Sequence, residues 1–323
     1  MKKIFAFLLV SLAVVSCYKD YLQDFDYSSV YFTYPIDVRS VVVGEGMRIQ
    51  LGVVLGGVST NTRDRNVSFS IDNTLVNSTA LTAMKSAAAY IQSAVNSVTA
   101  LSPLPANYYT LSDNSKMVIK TGQNMGLITL KVDSAAFLTD PATLSPNYAI
   151  ALNITSADAD TILQVKRTAV IGLKYENMLF GNYLHGGVTT IKDAAGNVVQ
   201  TIPYYTAVNA PETAIWKLTT VAPNALITNG YSNKTTAKGE MKLTLDGSNI
   251  TVSSNTGATN AILPDGASSF NTAKLLQNRK ILLNYKYVVG TNTYYCQDTL
   301  TFRNRIRDGV NEWQDENPSH YVK

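Results

Sequence analysis

The chain has 323 residues, of which 46% are hydrophobic and only 15% charged, with a net charge of +4. Such a composition is globular, and a prior of about 100–200 residues per domain points to two domains. The weak charge excludes a phosphate-tracking protein, which needs clustered Lys and Arg, so no nucleic-acid partner is expected.

The first element is Met1 to Cys17, MKKIFAFLLVSLAVVSC. Lys2 and Lys3 precede an apolar run from Ile4 to Val15. That run suits a signal peptide over 1–16 and is too short for a membrane span, which takes about 20 apolar residues. Val14-Val15-Ser16-Cys17 resembles a lipobox, which predicts cleavage before Cys17 and lipid attachment to it. An ordinary signal peptide with Cys17 incidental is the alternative. The mature chain would have 307 residues (323 − 16). Losing Lys2 and Lys3 leaves 25 basic residues against 23 acidic ones, a net charge near +2. With Cys17 acylated, Cys296 has no partner within the chain. It sits in a strand-like run and reads as a buried thiol. The only histidines, His185 and His320, offer it no adjacent base.

Residues 17–27 form a polar, aromatic tether. Lys19-Asp20, Asp24 and Asp26 are open to two readings, a plain tether or an acidic signal for the outer face of an outer membrane.

Period-two alternation dominates 28–175. Met47, Ile49, Leu51, Val53 and Leu55 share one face, as do Val67, Phe69 and Ile71, then Ile128, Leu130 and Val132, then Tyr148, Ile150, Leu152 and Ile154. Arg167 to Tyr175 is the last strand. Such spacing predicts a β-sandwich. Between two strands, Leu81, Met84, Ala88, Ile91, Val95 and Val98 step by three and four. They predict one inserted helix, with Ser78 or Thr79 as N-cap and Pro103 beyond its end.

Glu176 to Asn182 reads as the junction between two independent cores. From 176 to 323 turn signals multiply, including Asp246-Gly247 and Pro264-Asp-Gly266. Met241, Leu243 and Leu245 alternate with polar residues. Ile281, Leu283, Tyr285, Tyr287 and Val289 share a face, as do Tyr294, Cys296, Leu300 and Phe302, interrupted by Asp298. About eight strands suit a small closed barrel. The large inward rings Tyr285, Tyr287, Tyr294 and Phe302 argue for a filled interior.

These residues carry a family resemblance. Leu55-Gly-Gly57, Leu104-Pro-Ala-Asn-Tyr-Tyr-Thr-Leu111, Asn147-Tyr-Ala-Ile-Ala-Leu-Asn-Ile-Thr155 and Thr168-Ala-Val-Ile-Gly-Leu-Lys-Tyr175 resemble the immunoglobulin-like N-terminal domain of Bacteroidetes surface lipoproteins of unknown function. These accompany polysaccharide-utilisation systems. Gly181-Asn-Tyr183 and Arg303-Asn-Arg305 are similar to the lipocalin-like barrel often fused to that domain. The expected fold is therefore all-β: an immunoglobulin-like sandwich with one inserted helix over 28–175, then a small antiparallel lipocalin-like barrel over 176–323. The resemblance implies an outer-membrane, lipid-anchored protein facing the exterior that captures glycan.

No catalytic spacing stands out. Gly-x-Ser-x-Gly, His-Glu-x-x-His and a phosphate loop are missing. After Tyr175 only 148 residues remain (323 − 175), short of the ~250 of a glycosidase TIM barrel. Asp158-x-Asp160 reads as a turn, with calcium as the alternative. Asp308, Glu312, Asp315 and Glu316 read as a solvated tail, and His185 as a loop residue beside Gly186-Gly187. No enzyme, cofactor or metal is expected.

Glycan binding needs aromatic faces for C–H surfaces and polar edges for hydroxyls. The candidates are Tyr205, Tyr231, Tyr295 and Trp313, all expected to be exposed, whereas Trp216 reads as barrel core. The competing reading is a structural or protein-interaction accessory subunit of an outer-membrane import complex.

Overall fold

The computed structural model describes residues 26–204, 213–236 and 239–314. Residues Cys17, Tyr205, Asp315 and Glu316 lie outside that range. The described chain is overwhelmingly β, as its alternation predicts.

The N-terminal half contains β1 (Asp26–Tyr31), β2 (Ile36–Val42), β3 (Arg48–Val58), β4 (Arg65–Ile71), α1 (Ser78–Lys85), α2 (Ala89–Val95), β5 (Ser102–Pro103), β6 (Tyr109–Leu111), β7 (Lys116–Ile119), β8 (Met125–Val132), α3 (Ser134–Thr139), β9 (Tyr148–Ala157), β10 (Thr161–Ile162) and β11 (Thr168–Glu176). One layer runs β10-β1-β3-β8, with β6 on β8. The other runs β7-β4-β9-β11-β2, with β5 on β9. Among the described strand pairings, a single one, Ile119↔Gly126, joins the layers, where β7 runs into β8. Leu51, Val53, Ile128 and Leu130 from one layer meet Phe69, Ile150, Leu152 and Ile171 from the other, making a sandwich.

Where the helices cover it, at β9, β11 and β2, the second layer is buried on both faces. On β9, Ile150, Leu152 and Ile154 enter the sandwich core, while Ala149 and Ala151 lie under the helices. This explains the near-continuous apolar run of that strand. The single predicted helix is in fact two. α1 ends at Ser86, Ala88 is extended (ψ 148°), and α2 restarts at Ala89. Alanine favours helix, so propensity does not explain the break. The break instead accompanies the docking of Leu81 and Met84 from one piece, and Ile91 and Val95 from the other, on the same sheet face. The N-cap is Asn77, whose Oδ1 accepts from the Thr79 and Ala80 amides; Ser78 and Thr79 are inside the helix.

The C-terminal half contains β12 (Gly181–Lys192), β13 (Val198–Tyr204), β14 (Ile215–Ala222), β15 (Ala225–Thr228), β16 (Gly230–Tyr231), β17 (Lys234–Thr235), β18 (Met241–Asp246), β19 (Asn249–Ser254), β20 (Leu263–Pro264), β21 (Ser268–Phe270), β22 (Lys280–Val289), β23 (Asn292–Arg307) and β24 (Val310–Glu312). The pairing β12-β14-β15-β18-β19-β21-β22-β23 returns to β12 through eleven registered residue pairs, closing eight antiparallel strands into a barrel. Closure removes the open sheet edges. The interior holds Tyr183, Trp216, Leu243, Tyr285, Tyr287 and Leu300, all essentially inaccessible. Tyr294 stacks on Tyr287 with centroids 4.7 Å apart. A filled interior of this kind is what small barrels build from large inward residues.

Candidate functional site: a groove between the two halves

The predicted aromatics do not form one platform. Tyr231 is only 5% exposed, which corrects the expectation of a surface ring. Its turn folds inward. Gly230 lies against the Trp216 indole so closely that a Cβ there would sit 2.3 Å from Nε1. Ser232 N–H donates to the Tyr285 hydroxyl, drawing the turn into the barrel. The Tyr231 ring then meets Tyr287 edge-on at 5.2 Å, and its hydroxyl accepts from Asn260 Nδ2. Tyr295 is half-buried on β23. The Lys192 and Lys286 ammonium groups lie 4.9 and 5.6 Å from its ring centre. Trp313 follows β24 and is 57% exposed. Ten residues of β23 separate Tyr295 from Arg305, the partner of Glu312 on β24. At about 3.4 Å per residue that is about 34 Å, too far for one sugar-binding surface.

His185 is not in a loop. It lies on β12, buried, with its ring stacked on Trp216 at 3.9 Å and 12°. Its Nε2 is 3.2 Å from Asp298 Oδ1, without hydrogen-bond alignment, and neither atom nor Trp216 Nε1 has a hydrogen-bond partner among the described residues. Asp298 Oδ2 accepts from the Tyr285 hydroxyl at 2.6 Å. Burial pushes the Asp298 carboxyl upward against the opposing pull of His185 and Tyr285. Thr189 Oγ1 lies 3.2 Å from Cys296 Sγ and bonds Ser232 Oγ and the Tyr204 hydroxyl. Burial pushes the Cys296 thiol up to about 12, which leaves it an inert interior group. Asp158 and Asp160 close loops as the turn reading expects: Asp158 accepts from the Asn66 amide, and Asp160 from Ser28. Among the described residues no three His, Cys, Asp or Glu side chains are placed to share a metal.

What the fold does assemble lies where the halves meet. The connection from β2 in one layer to β3 in the other turns through Gly44 (φ 83°) and Gly46 (φ 85°), a left-handed path that glycine adopts without penalty. The turn carries Glu45 into the C-terminal half. Arg305 Nη1 and Nη2 donate to its two oxygens at 2.9 and 2.8 Å, and Arg279 Nη2 donates to Oε1 at 2.8 Å. Burial alone would raise the Glu45 carboxyl, but the two guanidinium groups outweigh it and hold it below its usual value. Arg305 and Arg307 also grip Glu312. Asp308, at φ 53°, accepts from the Ser40 amide and hydroxyl, and burial raises its carboxyl. The adjoining Gly309 packs on the ring of Tyr90 from α2. Asp308 therefore ties the two halves together, Glu312 braces Arg305 and Arg307 within its own half, and neither belongs to a solvated tail.

A β-bulge makes this possible. Tyr183 pairs with Phe302 but Asn182 pairs with Asn304, so Arg303 is an extra residue on β23. Up to Phe302 the even-numbered side chains are buried; beyond it Arg305 is the buried one. The extra residue switches the alternation and turns Arg305 and Arg307 toward Glu45 and Glu312.

Beside the clasp runs an open groove of about 660 Å³. Arg39, Arg48 and Gln50 line one wall; Arg307, Val310 and Glu312 line the other, with Ile49 and Leu276 contributing apolar surface. Gln314 also lines it, whereas the exposed Trp313 is not among the lining residues. Sequence reasoning missed Glu45, Arg279 and Arg39. The available signal was a Gly-Glu-Gly turn just ahead of the strongly alternating β3.

A family model described as a "-like, N-terminal domain" matches residues 21–161. No curated protein matches the chain. A solved Bacteroides ovatus protein of unknown function is 21% identical over 90% of this chain and 99% of its own, with a TM-score of 0.61. This likeness shows a shared fold across both halves. A second Bacteroides ovatus protein of unknown function is 10% identical, covering 90% of this chain and 100% of its own, with a TM-score of 0.43. An auxiliary nutrient binding protein from Bacteroides thetaiotaomicron is 16% identical over 86% of this chain and 96% of its own, with a TM-score of 0.41. At those scores the last two likenesses are too loose to bear on the site.

Proposed function

We propose that this chain is a non-catalytic, lipid-anchored protein of the outer-membrane surface that binds glycan in a polysaccharide-utilisation system. Its binding surface is the groove between the halves. The observation that carries this reading is the composition of that groove: guanidinium and amide groups on facing walls with apolar Ile49, Leu276 and Val310 between them. Planar polar groups suit sugar hydroxyls, and ligand sites favour domain interfaces and volumes of about 300–1,000 Å³. The non-catalytic part is supported by the carboxylates at the groove. Glu45 and Glu312 are each engaged by two arginines, whereas glycoside hydrolysis needs one carboxyl free to donate a proton and another to attack or to activate water. Anchoring rests on Cys17 and the run before it.

The test is a glycan array followed by calorimetry on the full chain, with Gln50→Ala and Arg307→Ala beside it. Binding that weakens in both variants supports the groove. No binding to any glycan would remove this reading and bring forward the accessory-subunit alternative. That alternative has its own observation: Met125 and Leu127 of β8 stand about half exposed beside Lys116 and Lys120, a small apolar strip on the sandwich wall.

A further inference from the structure

The charges around the groove are unevenly satisfied, and this narrows the ligand. Its acids are spoken for. Glu45 lies between Arg279 and Arg305, Glu312 between Arg305 and Arg307, and Asp308 is held by Ser40. The cations are not all matched. Arg48 on β3 stands directly opposite Lys131 on β8 in the antiparallel ladder, and both are exposed. Neither has an acidic partner within 4.0 Å among the described residues. Like charges directly opposite on a sheet are unfavourable, so the fold carries this pair without internal compensation. Arg39, one strand position from Ser40, has only a loose contact, 3.8 Å from Asp37 Oδ2, while Asp37 Oδ1 accepts from the Tyr90 hydroxyl at 2.6 Å. Arg39 and Arg48 both line the opening. Guanidinium forks pair with two oxygens of a carboxylate or a sulfate, and Gln50 beside them offers an amide to neighbouring hydroxyls.

We propose that the groove selects an acidic glycan, whose uronate carboxylates or sulfate esters sit on Arg39 and Arg48 of its lining and extend to Lys131, opposite Arg48 at its edge. This inference rests on the glycan-binding reading and names its substrate class. An anion on that wall offsets the Arg48–Lys131 repulsion and occupies donors that a neutral sugar leaves unmatched.

The experiment measures binding by the full chain in a neutral detergent to four polymers: polygalacturonate, a sulfated galactan, a neutral galactan and polyglutamate. At least one acidic glycan should bind tenfold or more tighter than the neutral galactan, and its affinity should fall as salt rises. Whichever acidic arm binds identifies carboxylate or sulfate. An Arg48→Ala/Lys131→Ala variant should lose tenfold or more with a melting temperature that is unchanged or slightly raised, since both side chains are exposed and their mutual repulsion is removed. Equal or tighter binding of the neutral galactan overturns the acidic selectivity and leaves glycan binding standing. Polyglutamate binding as well as the acidic glycans overturns sugar recognition itself. Failure of all four polymers overturns both. Full affinity in the double variant overturns the placement.

Discussion

Tyr231 and Trp216 show what a side chain's identity leaves open. Trp216 sits between apolar neighbours at alternate positions and reads as core, whereas the turn-like Asn-Gly-Tyr-Ser-Asn around Tyr231 looks solvent-facing. Gly230 decides otherwise, because lacking a Cβ it lets the backbone press against the indole, and the tyrosine follows it inward. Tyr231→Ala should therefore cost about 3 kcal/mol of stability in denaturant unfolding, a core-type loss, with groove binding retained. Trp216→Ala should cost about 3–5 kcal/mol, since it empties the barrel's largest side chain and unstacks His185. His185 was illegible for the same reason: two following glycines suggest a loop, but here they serve a strand. Gly187 sits where a Cβ would strike the Gln297 carbonyl at 2.1 Å, so the close approach of β12 to β23 requires it.

Elements were read better than sites. Alternation in β3, β8, β22 and β23 reports burial on a period of two, and burial of that kind is set locally by the pleat. The helix break was not legible, because Ser86-Ala-Ala-Ala89 has no breaker residue and yields only to tertiary packing. The β2–β3 turn was illegible as a function-bearing element because its partner arginines are more than 230 residues away. Its energetic weight is nevertheless large. Glu45→Ala leaves Arg279 and Arg305 buried without their shared counter-charge, and breaking such a pair costs about 3–5 kcal/mol. The pH dependence has a definite sign. A carboxyl held below its unfolded value contributes stability above that value, here near 4.5, and loses it as pH falls through the lower folded one. Acid titration should therefore weaken the wild-type protein below about pH 4.5 more steeply than Glu45→Gln, whose side chain does not titrate.

For the whole molecule, the sandwich and the barrel have separate apolar cores, yet Val42 of β2 packs with the barrel's residues and the arginine clasp joins the halves. Two independently folding fragments were the expectation at the junction near Glu176. The clasp predicts coupling instead. The intact chain should melt in a single calorimetric transition near neutral pH, and Glu45→Ala should split it into two. Two transitions already present in the wild-type protein would mean that the clasp is too weak to couple the halves. Anchoring belongs to this scale too: Cys17→Ala should release the chain from membranes into the soluble fraction, and retention of a non-acylated variant in high salt would argue against a lipid tether.

The extra residue at Arg303 has a consequence for how such a protein can diversify. Because one inserted position reverses which side chains of β23 face inward, the barrel wall before it and the charged ribbon after it are written in opposite parity. Deleting Arg303 should leave the wall's even-numbered tyrosine, cysteine and leucine ladder where it is while rotating Arg305 and Arg307 out of the clasp. A lineage could thus gain or lose the β23 arginines of that surface through a single codon. Within a fixed length it can retune that surface only by exchanging side chains already facing it, such as Arg39, Arg48 and Gln50.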